Sequence, residues 1–233
     1  MSNQIINSGI IIYSRMGSSR LPGKALKRIG AYKLLELIVK RLKPLENEDG
    51  FKIVIATTNK EIDNKIEELG SKLNVSVFRG DETDLILRTT ELLNVYKFDF
   101  FCRVNGDCPL VDKGLIRKGY NIITEGYDVV TNILTRTFPY GVSVEWINSD
   151  FFKKTALLSN NEEKEHVTQH LYRLKNKFKM HNIYDVKDNH QISLTVDNQK
   201  DLQNIQNLFK KNNNIHPLEI SYKNLINNYD NTF

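Results

Sequence analysis

Short apolar runs alternate with amphipathic segments along the first 132 residues of the chain. The runs GIIIY at 9–13 and KIVIATT at 52–58 are mainly apolar, which predicts strands that are buried on both faces of a sheet. Between them, segment 33–43 repeats leucine and isoleucine at helical spacing, and Pro44 is expected to end this helix. The chain is therefore predicted to begin with a strand–helix–strand unit.

The same alternation continues to about residue 132. Because strands alternate with helices, we expect an α/β fold with a mostly parallel sheet and helices on both faces. The loops that follow the strands should then share one ligand crevice at the carboxyl edge of the sheet. The further strands are predicted at 75–78, 98–104 and 127–132, and the further helices at 61–70 with Gly70 as C-cap, 82–96 and 115–123.

The pattern of elements changes beyond residue 132. Segments 138–147, 162–176 and 179–184 predict a turn with a strand, a helix and a short strand. A strand at 191–197 and a helix at 199–211 follow. We interpret 133–190 as an inserted α+β arm within a single domain of residues 1–233, placed before a last strand–helix unit of the main sheet.

The composition is that of a basic globular protein with few cysteines. A formal net charge of +5 permits a polyanionic partner, although dispersed surface cations would give the same value. The two cysteines imply no disulfide framework and match no common zinc spacing, so we expect reduced thiols. Residues 1–9 show no signal-peptide pattern and no apolar run reaches the length of a membrane span, so we expect a cytoplasmic protein without a membrane partner.

The segment SRMGSSRLPGKALKRIG at 14–30 directly follows the first predicted strand. A glycine-containing turn after a strand exposes backbone N–H groups to an anion, and Arg15, Arg20 and Lys24 add full positive charges. The spacing excludes a Walker A loop, since Ala25 stands where that motif has its magnesium-binding hydroxyl. The loop therefore suits a triphosphate, with an ordinary basic surface loop as the alternative.

Two aspartates stand at the ends of predicted strands. Asp107 lies in NGDCPL after the strand at 98–104, and Asp197 ends the strand at 191–197. Carboxylate oxygens are typical ligands of Mg²⁺, which commonly uses only one or two of them beside phosphate oxygens. Each aspartate could equally be a helix N-cap, and the residues alone leave these two interpretations open.

Six blocks in order resemble the cytidylyltransferases of the spore-coat polysaccharide biosynthesis protein F type, which are related to the CMP-Kdo and acylneuraminate synthetases. The most specific is the loop at 15–24, which matches the family's R-M-x-S-T/S-R-L-P-G-K, preceded by Ser14 where alanine is usual. The other blocks are RGDETDLILR, RVNGDCPLVD, FPYGVSVEWI, EHVTQHLY and LTVDNQKDL. The resemblance implies a nucleotide-diphospho-sugar transferase-like, Rossmann-like fold. It also implies transfer of CMP from CTP to a nonulosonic or related 2-keto acid sugar, with pyrophosphate release, for surface glycan biosynthesis.

The resemblance implies a nucleotide site as well. In nucleotidyl transfer, negative charge grows on the phosphoryl oxygens and the leaving group, so positioned cations supply most of the catalysis. Lys24, Arg15 and Asp107 are expected to be catalytic, and Asp107 and Asp197 are expected to hold Mg²⁺ together. The implied nucleotide-binding residues are Ser14, Arg15, Met16, Gly17, Ser18, Ser19, Arg20, Lys24, Asn59, Arg79, Gly80 and Asn105.

The acceptor is expected to bind between the sheet and the inserted arm. The candidates are Tyr140, Glu145, His166 and Arg173, of which His166 could take the proton of an attacking sugar hydroxyl. His166 could equally be a half-buried structural histidine. Ser193 stands where many family members carry a basic residue, so the identity of the acceptor stays open.

Other functions are compatible with the residues. The same chemistry could act on a sugar phosphate, a polyol phosphate or a phosphonate. The non-enzymatic alternative is a basic nucleic-acid-binding protein, although no basic patch interleaved with aromatic residues supports it. A non-catalytic relative is conceivable, but the intact Arg15, Lys24, Asp107 and Asp197 argue against it. The family further implies a homodimer that forms through the inserted arm, with no nucleic-acid partner.

Overall fold

A seven-stranded sheet runs through residues 6–226, the part of the chain that the computed structural model describes. The strands are β1 (Ser8–Tyr13), β2 (Arg28–Ile29), β3 (Tyr32–Lys33), β4 (Lys52–Thr58), β5 (Ser76–Gly80), β6 (Phe100–Asn105), β7 (Val129–Thr131), β8 (Glu145–Asn148) and β9 (Met180–Asn182). The order in the sheet is β5-β4-β1-β6-β8-β7-β9, and β2 pairs with β3 in a separate antiparallel ribbon.

Eight α-helices are found among residues 6–226. No helix in that range combines the length and the apolar character that crossing a membrane requires. The helices are α1 (Leu34–Asp49), α2 (Asn64–Lys72), α3 (Leu85–Tyr96), α4 (Lys113–Ile123), α5 (Ser149–Ala156), α6 (Gln169–Arg173), α7 (Gln199–Lys211) and α8 (Tyr222–Ile226), and short 3₁₀ turns lie at Lys24–Leu26, Glu61–Asp63, Glu162–Glu165 and Lys175–Lys177.

The parallel half of the sheet places the carboxyl ends of four strands at one edge. β5, β4, β1 and β6 are adjacent and parallel, which confirms the prediction from the alternating pattern. β1 is buried on both faces, since Ile10 packs into one hydrophobic core and Ile11 into the other. Tyr13 at the end of β1 is aligned with Ala56 and Asn105 on its neighbours. The loops that follow these strands therefore meet.

The other half of the sheet is built partly from the segment predicted as an inserted arm. β8 lies between β6 and β7 and is antiparallel to both, with Trp146 opposite Cys102. β9 adds a parallel edge strand beside β7. Both cysteines are free thiols, as predicted. Part of segment 133–190 is thus continuous with the main sheet.

Two predicted helix ends are wrong. α1 continues through Pro44 to Asp49 and ends at Gly50, whose φ of 73° is left-handed and whose N–H bonds to the Leu45 carbonyl. The apolar stripe of α1 continues past the proline, because Leu45 is buried. Gly70 lies inside α2, where an added Cβ would stand 2.3 Å from a methyl group of Val77. Close packing of α2 on β5 therefore explains this glycine.

Two predicted elements of the second half are also corrected. Segment 191–197 joins no strand of the sheet, although Leu194 and Val196 are buried as its alternating pattern suggests. It lies beside the loop after β6, where the Val196 N–H donates to the Asp107 carbonyl, and a single bridge joins Ser193 to Tyr140. The helix predicted at 162–176 is interrupted at His166, whose backbone is extended. The interruption separates the 3₁₀ turn at Glu162–Glu165 from α6.

Candidate active site

A cleft of about 420 Å³ opens at the carboxyl edge of the parallel strands. The loops after β1, β5 and β6 form most of its wall, and the segments around His166 and Asp197 close it from two further sides. The cleft is lined by Tyr13, Ser14, Arg15, Ser18, Ser19, Arg20, Lys24, Glu82, Thr83, Leu85, Arg88, Arg103, Asn105, Gly106, Asp107, Glu165, His166 and Asp197.

The basic loop after β1 is anchored from beneath. The backbone N–H of Met16 donates to Oδ1 of the buried Asp63 at 2.7 Å, and the Met16 side chain is buried in the core. The N–H of Gly23 donates to the Met16 carbonyl at 3.0 Å, and Gly23 adopts a left-handed φ of 68° that favours glycine. Met16 and Gly17 therefore shape the loop but do not line the cleft, whereas its serines and cations do.

Lys24 connects the two predicted metal ligands. Its Nζ donates to Oδ2 of Asp107 at 2.9 Å and to Oδ1 of Asp197 at 3.3 Å. Arg20 forms a second ion pair with Asp197 at 3.1 Å. The structure thus brings together in the cleft two cations from one loop and two carboxylates that lie far apart in the sequence.

Neither aspartate is a helix N-cap, which removes that alternative. Asp112 caps α4 by accepting from the Leu115 N–H, and Asn198 caps α7 by accepting from the Asp201 N–H. The carboxylates of Asp107 and Asp197 face Lys24 instead. Both are thereby left to interact with groups in the cleft.

The turn that carries Asp107 packs directly on the end of β1. The N–H of Gly106 donates to the Tyr13 carbonyl at 2.8 Å. A Cβ at Gly106 would stand 2.7 Å from that same oxygen, so this close approach requires glycine. On the other side, the Val196 N–H donates to the Asp107 carbonyl at 2.9 Å. These contacts hold the backbone segments that carry Asp107 and Asp197 next to each other.

The donor set fits Mg²⁺ only in part. Within residues 6–226, no group of three or more His, Cys, Asp or Glu side chains could hold a metal by itself. Mg²⁺ commonly binds one or two carboxylates and completes its shell with substrate phosphates and water. Asp107 and Asp197 approach one ammonium group closely enough to share it, and oxygen ligands of this kind suit a hard cation. The pair is therefore compatible with Mg²⁺ when a phosphate is also bound.

Arg103 enters the cleft from β6 and is held by a buried carboxylate. Its guanidinium pairs with Oε2 of Glu145, while Oε1 accepts from Thr168 at 2.8 Å and from the Tyr172 hydroxyl at 2.6 Å. Burial works against the charge of Arg103, but the Glu145 carboxylate beside it raises the pKa of the guanidinium. Glu145 is buried behind the cleft wall. It therefore supports Arg103 and does not line the cleft itself.

Arg88 orders the loop after β5. Its guanidinium, which is buried, donates to the carbonyls of Asp81 and Glu82, and burial lowers its pKa. The Asp81 carboxylate in turn accepts from the backbone N–H groups of Thr83 and Asp84 at 2.8 and 2.7 Å. This arrangement presents Glu82 and Thr83 to the cleft.

Three predicted nucleotide-binding residues lie at the carboxyl ends of β4 and β5 but do not line the cleft. The Asn59 N–H donates to the Gly80 carbonyl at 3.1 Å, which joins the ends of the two strands. Arg79 donates to Asn64 at 2.6 Å and pairs with Glu67 at 2.8 Å. The structure therefore gives Arg79 a surface ion pair, with Glu67 as the partner.

Among the predicted acceptor residues, His166 lines the cleft. Tyr140 is exposed and does not line the cleft, and the Arg136 guanidinium lies 4.3 Å from its ring centroid. Arg173 donates to Glu163 at 2.7 Å, and this hydrogen bond lowers the pKa of Glu163 to about 2. Tyr140 and Arg173, like Glu145, therefore contact other residues and do not line the cleft.

Several residues of the cleft were missed by the sequence analysis. Four of them belong to the blocks RVNGDCPLVD and RGDETDLILR, namely Arg103, Glu82, Thr83 and Arg88. Their place in these blocks is the only sign of a site residue that the sequence offers. Whether each side chain faces the cleft depends on its direction at the strand end, which the sequence does not determine. Those missed are Tyr13, Glu82, Thr83, Leu85, Arg88, Arg103, Gly106 and Glu165.

Comparison with known proteins agrees with this geometry. The model of the cytidylyltransferase family matches residues 9–224. The spore coat polysaccharide biosynthesis protein SpsF of Bacillus subtilis is 30% identical over 210 residues, which cover 86% of this chain and 85% of that protein. These two findings confirm the resemblance that the sequence blocks indicate.

Solved structures share the fold. A cytidylyltransferase from Leptospira borgpetersenii is similar with a TM-score of 0.89 at 30% identity, over 97% of this chain and 94% of that one. The CMP:2-keto-3-deoxy-manno-octonic acid synthetase, whose structure was determined in complex with CTP, has a TM-score of 0.67 at 16% identity, over 88% and 99% of the two chains. The predicted mostly parallel, Rossmann-like nucleotidyltransferase fold is confirmed.

Proposed function

The chain belongs to the cytidylyltransferase family, a family of nucleotidyltransferases, and from that premise we propose that its cleft transfers CMP from CTP to a sugar acceptor with release of pyrophosphate. One observation carries the proposal: Lys24 Nζ lies between Asp107 and Asp197, at the end of a basic loop on the carboxyl edge of the parallel strands. This edge is where ligands bind in open α/β sheets.

The loop after β1 supplies the cations that a triphosphate needs. Arg15, Arg20 and Lys24 all line the cleft. We propose that they bind the triphosphate, with Lys24 nearest the α-phosphate. An oxygen of the acceptor attacks the α-phosphorus while the bond to the bridging oxygen of the β-phosphate breaks, so charge grows on the departing pyrophosphate. Positioned cations stabilise that charge, and removing one such interaction typically costs about 10²–10³ in kcat.

We further propose that Asp107 and Asp197 hold Mg²⁺ together with phosphate oxygens of the substrate. Such a cation would offset the charge of the triphosphate and fix its orientation. The ammonium group of Lys24 is shared by both carboxylates. The same two carboxylates could therefore bind Mg²⁺ in its place.

An attacking hydroxyl must lose a proton, and His166 is the proposed acceptor of it. His166 lines the cleft beside Glu165, in the extended stretch that interrupts the predicted helix. A phosphate acceptor attacks with an oxygen that is already ionised and needs no base. Replacement of His166 should therefore affect a hydroxyl acceptor much more than a phosphorylated one.

The proposed acceptor is a 2-keto acid sugar used in surface glycan synthesis. Two similar proteins support this choice: one is named for spore coat polysaccharide biosynthesis and the other for CMP transfer to 2-keto-3-deoxy-manno-octonic acid. A sugar phosphate, a polyol phosphate or a phosphonate is the alternative acceptor. We also propose that the enzyme acts in the cytoplasm and forms a homodimer. Light scattering after size-exclusion chromatography would test for the dimer.

Pyrophosphate release tests the proposed reaction. The purified protein is incubated with Mg²⁺, with CTP or UTP, and with 3-deoxy-manno-octulosonate, N-acetylneuraminate, a hexose 1-phosphate or a polyol phosphate. We expect release with CTP and a keto acid sugar, and none from Asp107→Asn. Release only with a phosphorylated acceptor would show that the acceptor is a phosphate compound and not a keto acid sugar. Release with UTP alone would contradict the proposed specificity for CTP. No release from any combination would contradict the proposed reaction.

A further inference from the structure

A buried carboxylate lies beneath the loop after β1, in a turn that belongs to none of the six sequence blocks. Asp63 ends the 3₁₀ turn at Glu61–Asp63 and is 1% exposed. Its Oδ1 accepts from the Met16 N–H at 2.7 Å, and its Oδ2 accepts from the N–H and the hydroxyl of Thr58. Such donors offset the cost of removing a carboxylate from water. Asp63 therefore joins the loop after β1 to the turn after β4.

Met16 is the residue at which the loop after β1 closes on itself. Its carbonyl accepts from the Ser18 N–H at 2.9 Å and from the Gly23 N–H at 3.0 Å. Its side chain is buried, and Gly23 leads directly into Lys24. Asp63 holds the N–H of Met16 while the loop itself holds the carbonyl. The position of Met16 therefore sets the position of the whole loop up to Lys24.

The exposed part of the loop keeps backbone donors for a ligand. Gly17 and Ser19 are exposed, and their N–H groups take no part in the bonds that close the loop. Ser19 lines the cleft together with Arg15 and Arg20. Backbone N–H groups and cations in such a loop suit the oxygens of a phosphate. Their common placement depends on the anchor of Met16 below them.

The turn after β4 is itself held in place by a residue that was predicted to bind the nucleotide. Arg79 donates to the carbonyl of Thr58 at 3.1 Å and to that of Lys60 at 2.7 Å. The Lys60 ammonium pairs with Glu82, which lines the cleft, at 2.7 Å. The turn thus contacts the loop after β1 through Asp63 and the loop after β5 through Lys60. It is a fixed support beneath both walls of the cleft.

We propose that Asp63 is a positioning residue for the triphosphate, which it does not touch, because it holds the loop after β1 at Met16. The inference rests on the proposed cytidylyl transfer and adds a residue outside the cleft on which nucleotide binding depends. Loss of the Asp63 carboxylate would leave the Met16 N–H buried and unpaired, which is costly. The loop would shift to find another acceptor, and Gly17, Ser19 and Lys24 would shift with it.

Binding of two nucleotides separates positioning of the loop from general damage to the fold. Wild type, Asp63→Ala, Asp63→Asn and Thr58→Val are titrated calorimetrically with CTP and with CMP in the presence of Mg²⁺, at a temperature where circular dichroism shows each of them folded. CTP differs from CMP by its β- and γ-phosphates, so the ratio of the two affinities measures binding by the loop. Thr58→Val is the matched control, because it removes a hydroxyl donor from Oδ2 of Asp63 and leaves the bond from Met16 to Oδ1.

We expect Asp63→Ala to lower the ratio of CTP affinity to CMP affinity about tenfold or more. Asp63→Asn keeps a carbonyl oxygen that can accept from the Met16 N–H, so its ratio should stay close to that of the wild type. Thr58→Val should be less stable than the wild type and should keep the wild-type ratio. A purely structural role of Asp63 would weaken the binding of CTP and CMP equally.

Amide hydrogen exchange in the wild type, followed by NMR, tests the anchor without any variant. The Met16 N–H should exchange slowly with or without CTP, because Asp63 accepts from it in both states. The N–H groups of Gly17 and Ser19 should exchange fast in the free protein and become protected when CTP binds.

The inference is wrong if the affinity ratio is unchanged in Asp63→Ala, or if Asp63→Asn or Thr58→Val lowers it as much as Asp63→Ala does. It is also wrong if the Met16 N–H exchanges as fast as that of Gly17 in the free wild type. Wild-type protein that binds CTP no more tightly than CMP is a different result, which contradicts the proposed function itself.

Discussion

At the scale of single residues, the site depends on one ammonium group between two carboxylates. Lys24 is 17% exposed in its side chain, and it bonds to Asp107, to Asp197 and to the Val196 carbonyl. Its place in the fold is set by Gly23, whose left-handed backbone begins the turn. The sequence shows that a lysine stands in this loop, but only the fold shows that Asp107 and Asp197 are its partners.

Lys24→Ala should lower kcat by about 10²–10³ or more, because it removes a positioned cation where charge develops. The fold should persist, since Lys24 lies in a solvated cleft and not in the core. Steady-state kinetics and circular dichroism measure the two effects. Lys27→Ala is the matched control, as Lys27 is three residues away in the same loop and exposed. Activity within twofold of wild type in Lys24→Ala would contradict the assignment.

Residue roles were predictable from the sequence where the backbone alone determines position. The block at 15–24 follows a buried strand directly, so Arg15, Arg20 and Lys24 had to emerge at the carboxyl edge. Arg79 also stands at a strand end, but its side chain turns toward Glu67 on α2. Which way a side chain turns depends on packing partners that are distant in sequence, and so this placement could not be predicted.

At the scale of elements, a buried polar network ties β6, β8 and α6 together behind the cleft. Arg103 lies on β6, Glu145 on β8 and Tyr172 on α6, while Thr168 immediately precedes that helix. The side chains of Arg103, Thr168 and Tyr172 converge on the Glu145 carboxylate. The interruption of the predicted helix at His166 makes this possible, because it allows Thr168 to face Glu145 and His166 to face the cleft.

Glu145→Gln should lower the free energy of unfolding by about 3 kcal/mol, because breaking a buried ion pair leaves the remaining charge uncompensated. The Arg103 side chain is 18% exposed, so partial hydration limits the loss. Urea denaturation followed by fluorescence gives the value. Glu91→Gln on the exposed face of α3 serves as the control. An unchanged midpoint for Glu145→Gln would contradict the structural importance of the network.

His170 gives the contact between α5 and α6 a dependence on pH. Burial lowers the pKa of His170 to about 4, while an unfolded histidine has a pKa of about 6.5. Between these values the unfolded chain binds more protons, so stability is complete above about pH 6.5 and is lost as the pH falls toward 4. His170 accounts for about 2 kcal/mol of the loss between pH 7 and pH 5.

His170→Phe should remove most of that dependence, because Phe preserves the ring contact with Phe152 but cannot be protonated. Urea unfolding of both proteins at pH 7 and pH 5 measures the change. The variant loses the hydrogen bond to Thr155, which changes its absolute stability. Only the difference between the two pH values is therefore compared. The exposed variant His190→Gln should behave as the wild type does. If His170→Phe loses as much stability as the wild type between pH 7 and pH 5, His170 is not the cause of the pH dependence.

The elements of the first half were predictable because their patterns are local. Apolar runs identify the four parallel strands, and the resulting order places their loops together. Segment 191–197 shows the limit of this reasoning. Its alternation matches the burial of Leu194 and Val196, but the segment pairs with no strand of the sheet and is a loop that reaches the cleft at Asp197. A buried loop and a paired strand can show the same alternation of apolar and polar residues, and only the structure tells them apart.

At the scale of the whole molecule, the sheet separates two tasks. The parallel half presents the basic loop after β1 and the ends of β5 and β6 to a nucleotide. The half containing β8 carries the network around Glu145 behind the cleft. The proposed acceptor therefore meets the nucleotide where the sheet changes from parallel to antiparallel, between β6 and β8.

The central claim is that this cleft binds CTP through the loop after β1 and the two aspartates. Calorimetric titration of the protein with CTP, UTP, GTP and ATP, each with and without Mg²⁺, tests it most directly. The account predicts that CTP binds most tightly, that Mg²⁺ strengthens its binding, and that Asp107→Asn removes the effect of Mg²⁺. Tighter binding of another nucleotide, or binding of none, would contradict the claim.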